Sequence, residues 1–188
     1  MLKKINNKIL KRPYAEINRY WTENKLYQIL EKVNDFPKLE QNYDPEIDDL
    51  YFLHKTITER KVSTVLEFGI GFSTIIMAHA LNLNKKYKNQ IKKIIPRKKN
   101  LFEIHSVDSS KKYLNICNPI FKSFYEDTIY SYQSNCYLNM INNVIVSNYK
   151  KIPNIIPDLI YLDAPELEEV KGKINNLSMV SKNNFPIA

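Results

Sequence analysis

The stretch TVLEFGIGFSTIIMAHAL, residues 64–81, gathers the side chains of this sequence most suited to chemistry. A carboxylate, Glu67, precedes Gly69 and Gly71, and the hydroxyls of Ser73 and Thr74 follow. The chain has 188 residues and three glycines, so two glycines this close mark a point where the backbone turns sharply or approaches a ligand. The residues before them read as a buried strand, and those after them read as a helix. Strand, glycine turn and helix together present the free N–H groups of a helix start at the carboxyl end of a strand. Nucleotide-binding folds hold their ligands there.

The turn does not suit a pyrophosphate. A dinucleotide fingerprint needs a third glycine where this chain has Thr74, and a P-loop is excluded because no Gly-Lys-Ser/Thr follows. Glu67 would also repel a phosphate, since like charges ~4 Å apart cost roughly 1–4 kcal/mol depending on solvent exposure. A ligand with positive charge fits better. S-adenosylmethionine carries an ammonium, a sulfonium and one carboxylate, and no phosphate. Glu67 is then expected to favour its cationic end, while the N–H groups around Phe72, Ser73 and Thr74 take its carboxylate. The hydroxyls of Ser73 and Thr74 would double as helix caps.

Three motifs carry a resemblance. VLEFGIGFST resembles motif I of the class I S-adenosylmethionine-dependent methyltransferases, in the variant where Ser-Thr replaces a third glycine. IHSVDSS is similar to their second motif, and PDLIYLDAP to the motif at their fourth strand, ending at Asp163. The motifs occur in the family's order and span roughly residues 62 to 166. The resemblance implies a Rossmann-like fold with Gly69 and Gly71 at the cofactor, Asp108 gripping both ribose hydroxyls, and Ser109 beside it. It implies Asn148, after the third strand, as an adenine contact. Asp163 is implied to face the methionyl amino group or the acceptor. For Asp108 the other reading is a cap for the helix starting at SSKK; for Asp163 it is a strand-end cap. In catechol-type relatives the aspartate matching Asp163 binds a metal with partners from later strands, which this chain lacks, so no metal is expected.

The elements that must position these residues form an α/β pattern. Residues 1 to 60 read as a helical extension, with Ile17, Tyr20, Trp21, Tyr27, Leu30 and Val33 near helical spacing and Pro45 opening a later helix. Residues 61 to 188 read as a Rossmann-like domain. STVLEF (63–68), LFEIHSV (101–107), NNVIVS (142–147) and PDLIYLD (157–163) are continuous apolar runs of the kind that parallel strands show. Residues 109–141 read as one or two helices broken near Pro119. The expectation is a parallel sheet sandwiched by helices. It stops at about four strands, as if the chain were truncated at its C-terminus. The link YKKIPNII between the last two runs leaves little room for a helix, a departure from the family that bears on the adenine pocket.

Composition sets the remaining bounds. A hydrophobic content of 44% with 12% aromatics is that of a globular protein, and no apolar run is long enough to span a bilayer. The N-terminus MLKKINNKILKRPY is basic without the features of a signal peptide, so the sequence reads as cytoplasmic. Cys117 and Cys136 read as buried hydrophobes, and the three histidines show no zinc-type pairing. His54 and Asp163 are the candidate bases, His54 because the N-terminal helices could form a lid over the strand ends; His105 reads as buried structure. The net charge is +8, with much of the excess in residues 84–100, read as a solvated loop inserted before the second strand. Three functions follow as expectations. The first is methyl transfer from S-adenosylmethionine to a small-molecule acceptor, for example O-methylation of a sugar or metabolite. The second is methylation of RNA or protein through the basic loop, and the third is a non-catalytic remnant that only binds.

Overall fold

The computed structural model describes residues 12–33, 45–96, 98–141 and 144–163. Residues 164–188, on which the expectation of truncation rests, lie outside the described residues. Helices α1 (Arg12–Glu23), α2 (Leu26–Val33) and α3 (Ile47–Glu59) precede strand β1 (Thr64–Phe68), helix α4 (Phe72–Asn84) and helix α5 (Lys88–Ile94). Strand β2 (Glu103–Asp108), helix α6 (Lys111–Tyr125) and strands β3 (Ile129–Gln133), β4 (Cys136–Ile141), β5 (Val144–Tyr149) and β6 (Leu159–Leu162) follow.

Four strands form a parallel sheet in the order β3-β2-β1-β6, while β4 and β5 form a separate antiparallel hairpin. The order places β1 at the centre, flanked by β2 and β6, and so puts the turn after β1 at the point where strand order reverses. The register lines Val65 up with Ile104 and Leu159, and Ile104 with Ile129. This row shares one core with Ile75 and Ile76 of α4 and with Leu114 and Phe121 of α6. Fully burying an aliphatic side chain of this size contributes roughly 1.5–3 kcal/mol, so the row is a principal reason the strands hold this register. Trp21, Leu26, Val33 and Ile57 of the N-terminal helices belong to the same core.

The structure differs from the sequence reading in three places. The third strand of the sheet is β3, from the segment read as helical, and the run read as the third strand pairs instead with β4. Helix α6 runs through Pro119 without breaking. Proline removes one helical hydrogen bond, but the burial of Leu114, Cys117 and Phe121 and the Ser110 cap, whose Oγ accepts the Tyr113 N–H, offset that loss. The basic segment is not a loop throughout, since a 3₁₀ turn at Lys85–Tyr87 leads into α5. On β6, at the edge of the sheet, Ile160 and Leu162 are exposed, whereas Leu66 and Val107 on the same face of β1 and β2 are buried. The link between β5 and β6 contains no helix, as its length requires.

Candidate functional site

Every feature singled out around the glycine turn converges on the carboxyl ends of β1, β2 and β6. The Gly69 N–H donates to the Val107 carbonyl at 2.8 Å, carrying the β1–β2 pairing one residue past the strand, and the Asp163 N–H donates to the Phe68 carbonyl at 2.9 Å. Asp108 ends β2, so the turn lies between Asp108 on one side and Asp163 on the other. Gly69 has φ of 112°, a conformation open to glycine and strained for other residues. Gly71 is extended, and what its missing side chain leaves is space: a Cβ there would meet only the Tyr113 Oη, at 3.9 Å. Gly71 is the N-cap of α4 and carries no capping side chain of its own.

Glu67 does not face the ligand space directly. It is completely buried, and its carboxylate accepts hydrogen bonds from Ser73 Oγ at 2.5 Å, Ser106 Oγ at 2.6 Å and Thr74 Oγ1 at 2.7 Å. Thr74 Oγ1 in turn accepts the Gly71 N–H at 3.0 Å. Thr74 therefore serves both the helix start, as expected, and Glu67, whereas the Ser73 hydroxyl goes to Glu67 and not to a cap; Glu67 is the anchor of the turn rather than a group presented to a cation. Burial pushes the Glu67 carboxyl up to about 7, against the pull of the three hydroxyls, and the charge of Asp163 adds to the rise.

Asp108 is buried at the end of β2, and its Oδ1 accepts the Ser110 N–H at 2.7 Å. That bond is the helix-start role expected of an aspartate at this position. The Ser109 carbonyl accepts from Gln133 Nε2 at 3.3 Å, fixing the segment after Asp108. Phe72 is half-buried at the start of α4, packed against the core. Asn148 lies on β5 of the hairpin, not after the third strand of the sheet, and its Nδ2 is buried without a hydrogen-bond partner among the described residues. The hairpin nevertheless reaches the site: the rings of Tyr149 and Phe68 stack at 5.3 Å, and Lys151 N–H donates to Ser134 Oγ at 2.9 Å, just past β3.

The strand ends are strongly acidic for a chain of net charge +8. Burial raises the Tyr161 hydroxyl, and the negative charges of Asp163, Glu67, Asp49 and Glu46 raise it further. The Tyr113 hydroxyl is raised by burial and by Cys117, and further by Asp108 and Glu67. Asp163 is held above its ordinary value by desolvation and by Asp49, and Glu46 by its hydrogen bond to Asp49 and that residue's charge. Besides the buried Glu67, four carboxylates (Glu46, Asp49, Asp108 and Asp163) act on groups at this end of the sheet, which favours a cation there over a phosphate. Tyr113, which reading the sequence overlooked, stands between Gly71 and Asp108; its place in the first turn after an N-cap serine was the available signal.

His54 is not at this site. It is fully buried between helices, with Nδ1 at 2.8 Å from Tyr20 Oη and Nε2 at 2.8 Å from His79 Nδ1, and burial holds it down to about 3. A histidine with both nitrogens engaged in the core cannot take a proton from a substrate. His105 is buried structure, bonded to Glu103 and Tyr132, and Cys117 and Cys136 are buried and form no disulfide among the described residues. Trp21 is core, and no group of three or more His, Cys, Asp or Glu able to hold a metal occurs among the described residues. No helix among the described residues is long and apolar enough to cross a membrane. No protein-family model matches the chain, and a search of curated proteins returns no match.

Proposed function

We propose that this chain binds S-adenosylmethionine at the β1 turn and transfers its methyl group to a small-molecule acceptor. The observation that carries the reading is the juxtaposition of the Gly69–Gly71 turn with Asp108 inside an acidic border, at the switch point of a parallel sheet. The residues present fit the group. The space over Gly71 admits a ligand against the backbone at the start of α4, the end of a helix that favours a carboxylate. The carboxylates exclude a pyrophosphate and suit an ammonium and a sulfonium.

In this reading the Asp108 carboxylate at the end of β2 accepts from the ribose hydroxyls, charged hydrogen bonds worth about 1.5–3 kcal/mol each. Glu67 holds Ser73, Thr74 and Ser106 so that the turn keeps its shape without a ligand. Tyr113 bounds the pocket beside Gly71, and the Tyr149–Phe68 stack closes it on the side of the hairpin. The bound group supplies an activated methyl carbon at a sulfonium. The protein's part is to align an acceptor with it and exclude water, which can account for much of the barrier reduction. Asp163 is the carboxylate placed to take a proton from an acceptor, because partial desolvation and Asp49 already raise its affinity for one. The test is calorimetric titration of the full chain with S-adenosylmethionine and with NAD, comparing the parent with Asp108→Ala.

A further inference from the structure

The net positive charge has a single location. Residues 84–100 contain eight Lys and Arg and no acid, which equals the net charge of +8 carried by the whole sequence. The rest of the chain is balanced. Among the described residues of this segment Lys88, Lys92, Lys93 and Lys99 are exposed and form no ion pair, while Lys98 pairs with Asp158. At its centre, where α5 ends, Ile94 is 80% exposed and Ile95 43% exposed. Two neighbouring aliphatic side chains therefore stand in water, surrounded by lysines.

The tip is held in place rather than left free. Ile91 is buried beneath it, the Ile95 N–H donates to the Ile91 carbonyl at 2.8 Å, and the Lys98–Asp158 pair fastens the far side. Asp158 is further bonded to Ser63 Oγ at 2.6 Å and to the Thr64 N–H at 3.1 Å, so the tip is tied to the amino ends of β1 and β6. A groove of about 280 Å³ runs between Ile94, Ile95 and Val62 and is flanked by Arg60 and Lys61. This places the face at the end of the sheet opposite the glycine turn.

An apolar point ringed by unpaired ammonium groups matches one partner chemistry closely. We infer that this face docks on an anionic lipid bilayer surface, with Ile94 and Ile95 entering the headgroup–acyl boundary and the lysines lying among the lipid phosphates. Charge alone would suit RNA equally, but single-stranded RNA is held by aromatic rings on which bases stack. The protruding side chains here are aliphatic. The one aromatic residue of the segment, Tyr87, has the Lys61 ammonium 4.6 Å and the Lys86 ammonium 5.1 Å from its centre, so both cations crowd the ring a base would need. Docking by this end leaves the carboxyl ends of the strands turned toward solvent, open to a soluble cofactor.

The test is cosedimentation of the full chain with vesicles of phosphatidylcholine alone and with about one-third phosphatidylserine. Binding is expected to the anionic vesicles only and to weaken at high salt. Replacing Lys92 and Lys93 together by Gln should weaken it about thirty-fold. Ile94→Ser should weaken it several-fold with an unchanged melting temperature, since Ile94 is a surface residue. Failure to bind anionic vesicles at low salt would overturn the proposal, as would binding indifferent to Ile94→Ser. So would a single-stranded RNA competitor that displaces the protein from vesicles and binds the Ile94→Ser variant undiminished. None of these outcomes depends on whether S-adenosylmethionine binds at the other end.

Discussion

Ser106 and Glu67 are direct cross-strand partners in the β1–β2 register, and the Ser106 hydroxyl donates to the Glu67 carboxylate at 2.6 Å in a fully buried position. Two further hydroxyls, from Ser73 and Thr74, complete the shell. A buried acid is thereby kept beside the turn without a cationic partner among the described residues, and its proton affinity measures how well three neutral donors replace water.

That arrangement makes stability depend on pH in a definite direction. Glu67 is raised from 4.5 to about 7, so its contribution is complete below pH 4.5 and is lost as the pH rises through 7. The loss amounts to about 3 kcal/mol at alkaline pH, at 1.36 kcal/mol per unit. Glu67→Gln keeps the shape and needs only the Ser73 hydroxyl to turn and accept from the new amide. It should melt above the parent at pH 8 and lose that advantage by pH 4.5, whereas Glu67→Ala, which strands three hydroxyls, should be destabilised at every pH. Thermal melts across this range check it, and a Gln variant less stable than the parent at pH 8 would contradict it.

The two glycines should separate by what they do. Gly69→Ala forces a side chain into a positive φ and is expected to cost about 1–2 kcal/mol of stability. At Gly71 a methyl group meets only the Tyr113 hydroxyl at an ordinary contact distance, so Gly71→Ala should fold almost as stably as the parent. Its effect should appear instead as weakened cofactor binding, because the methyl group occupies the space over the turn. Denaturant melts and calorimetry on both variants read the two quantities separately.

The buried Tyr20–His54–His79 chain gives the opposite pH slope. His54 is lowered from 6.5 to about 3 by burial and by the charge of His79, so its contribution is full above pH 6.5 and is lost as the pH falls toward 3. The slope is at most about 1.4 kcal/mol per pH unit for one histidine. Between pH 4.5 and 6.5 this slope opposes that of Glu67, and the parent should show a shallow profile. Replacing His54 by Gln should lower stability at neutral pH and leave a profile that declines with rising pH. A parent profile already as steep as that of the variant would count against the assignment.

How much of this was legible in the sequence depended on whether a signal was local. Strands β1, β2 and β6 are short continuous apolar runs, and Gly69, Gly71 and Asp108 follow them at once, so their convergence could be read directly. Strand β3, IYSYQ, alternates tyrosines with polar residues because one face looks outward, and it follows a long helix without a glycine break. The apolar run VIVS looked more like a sheet strand than IYSYQ, yet it pairs locally with β4 across a tight connection. The role of Glu67 was misjudged because its third donor, Ser106, is 39 residues away and becomes a neighbour only through the sheet register. His54 was misread for the same reason, since its partners Tyr20 and His79 lie on two other helices.

Calorimetric titration of the full chain with S-adenosylmethionine, beside Asp108→Ala, tests the central claim most directly. The account predicts saturable binding by the parent, affinity reduced roughly a hundred-fold or more in a variant that still folds but melts below the parent for want of the Ser110 N–H acceptor, and no binding of NAD by either. Absence of heat with the parent, or binding undisturbed by loss of the Asp108 carboxylate, would contradict it.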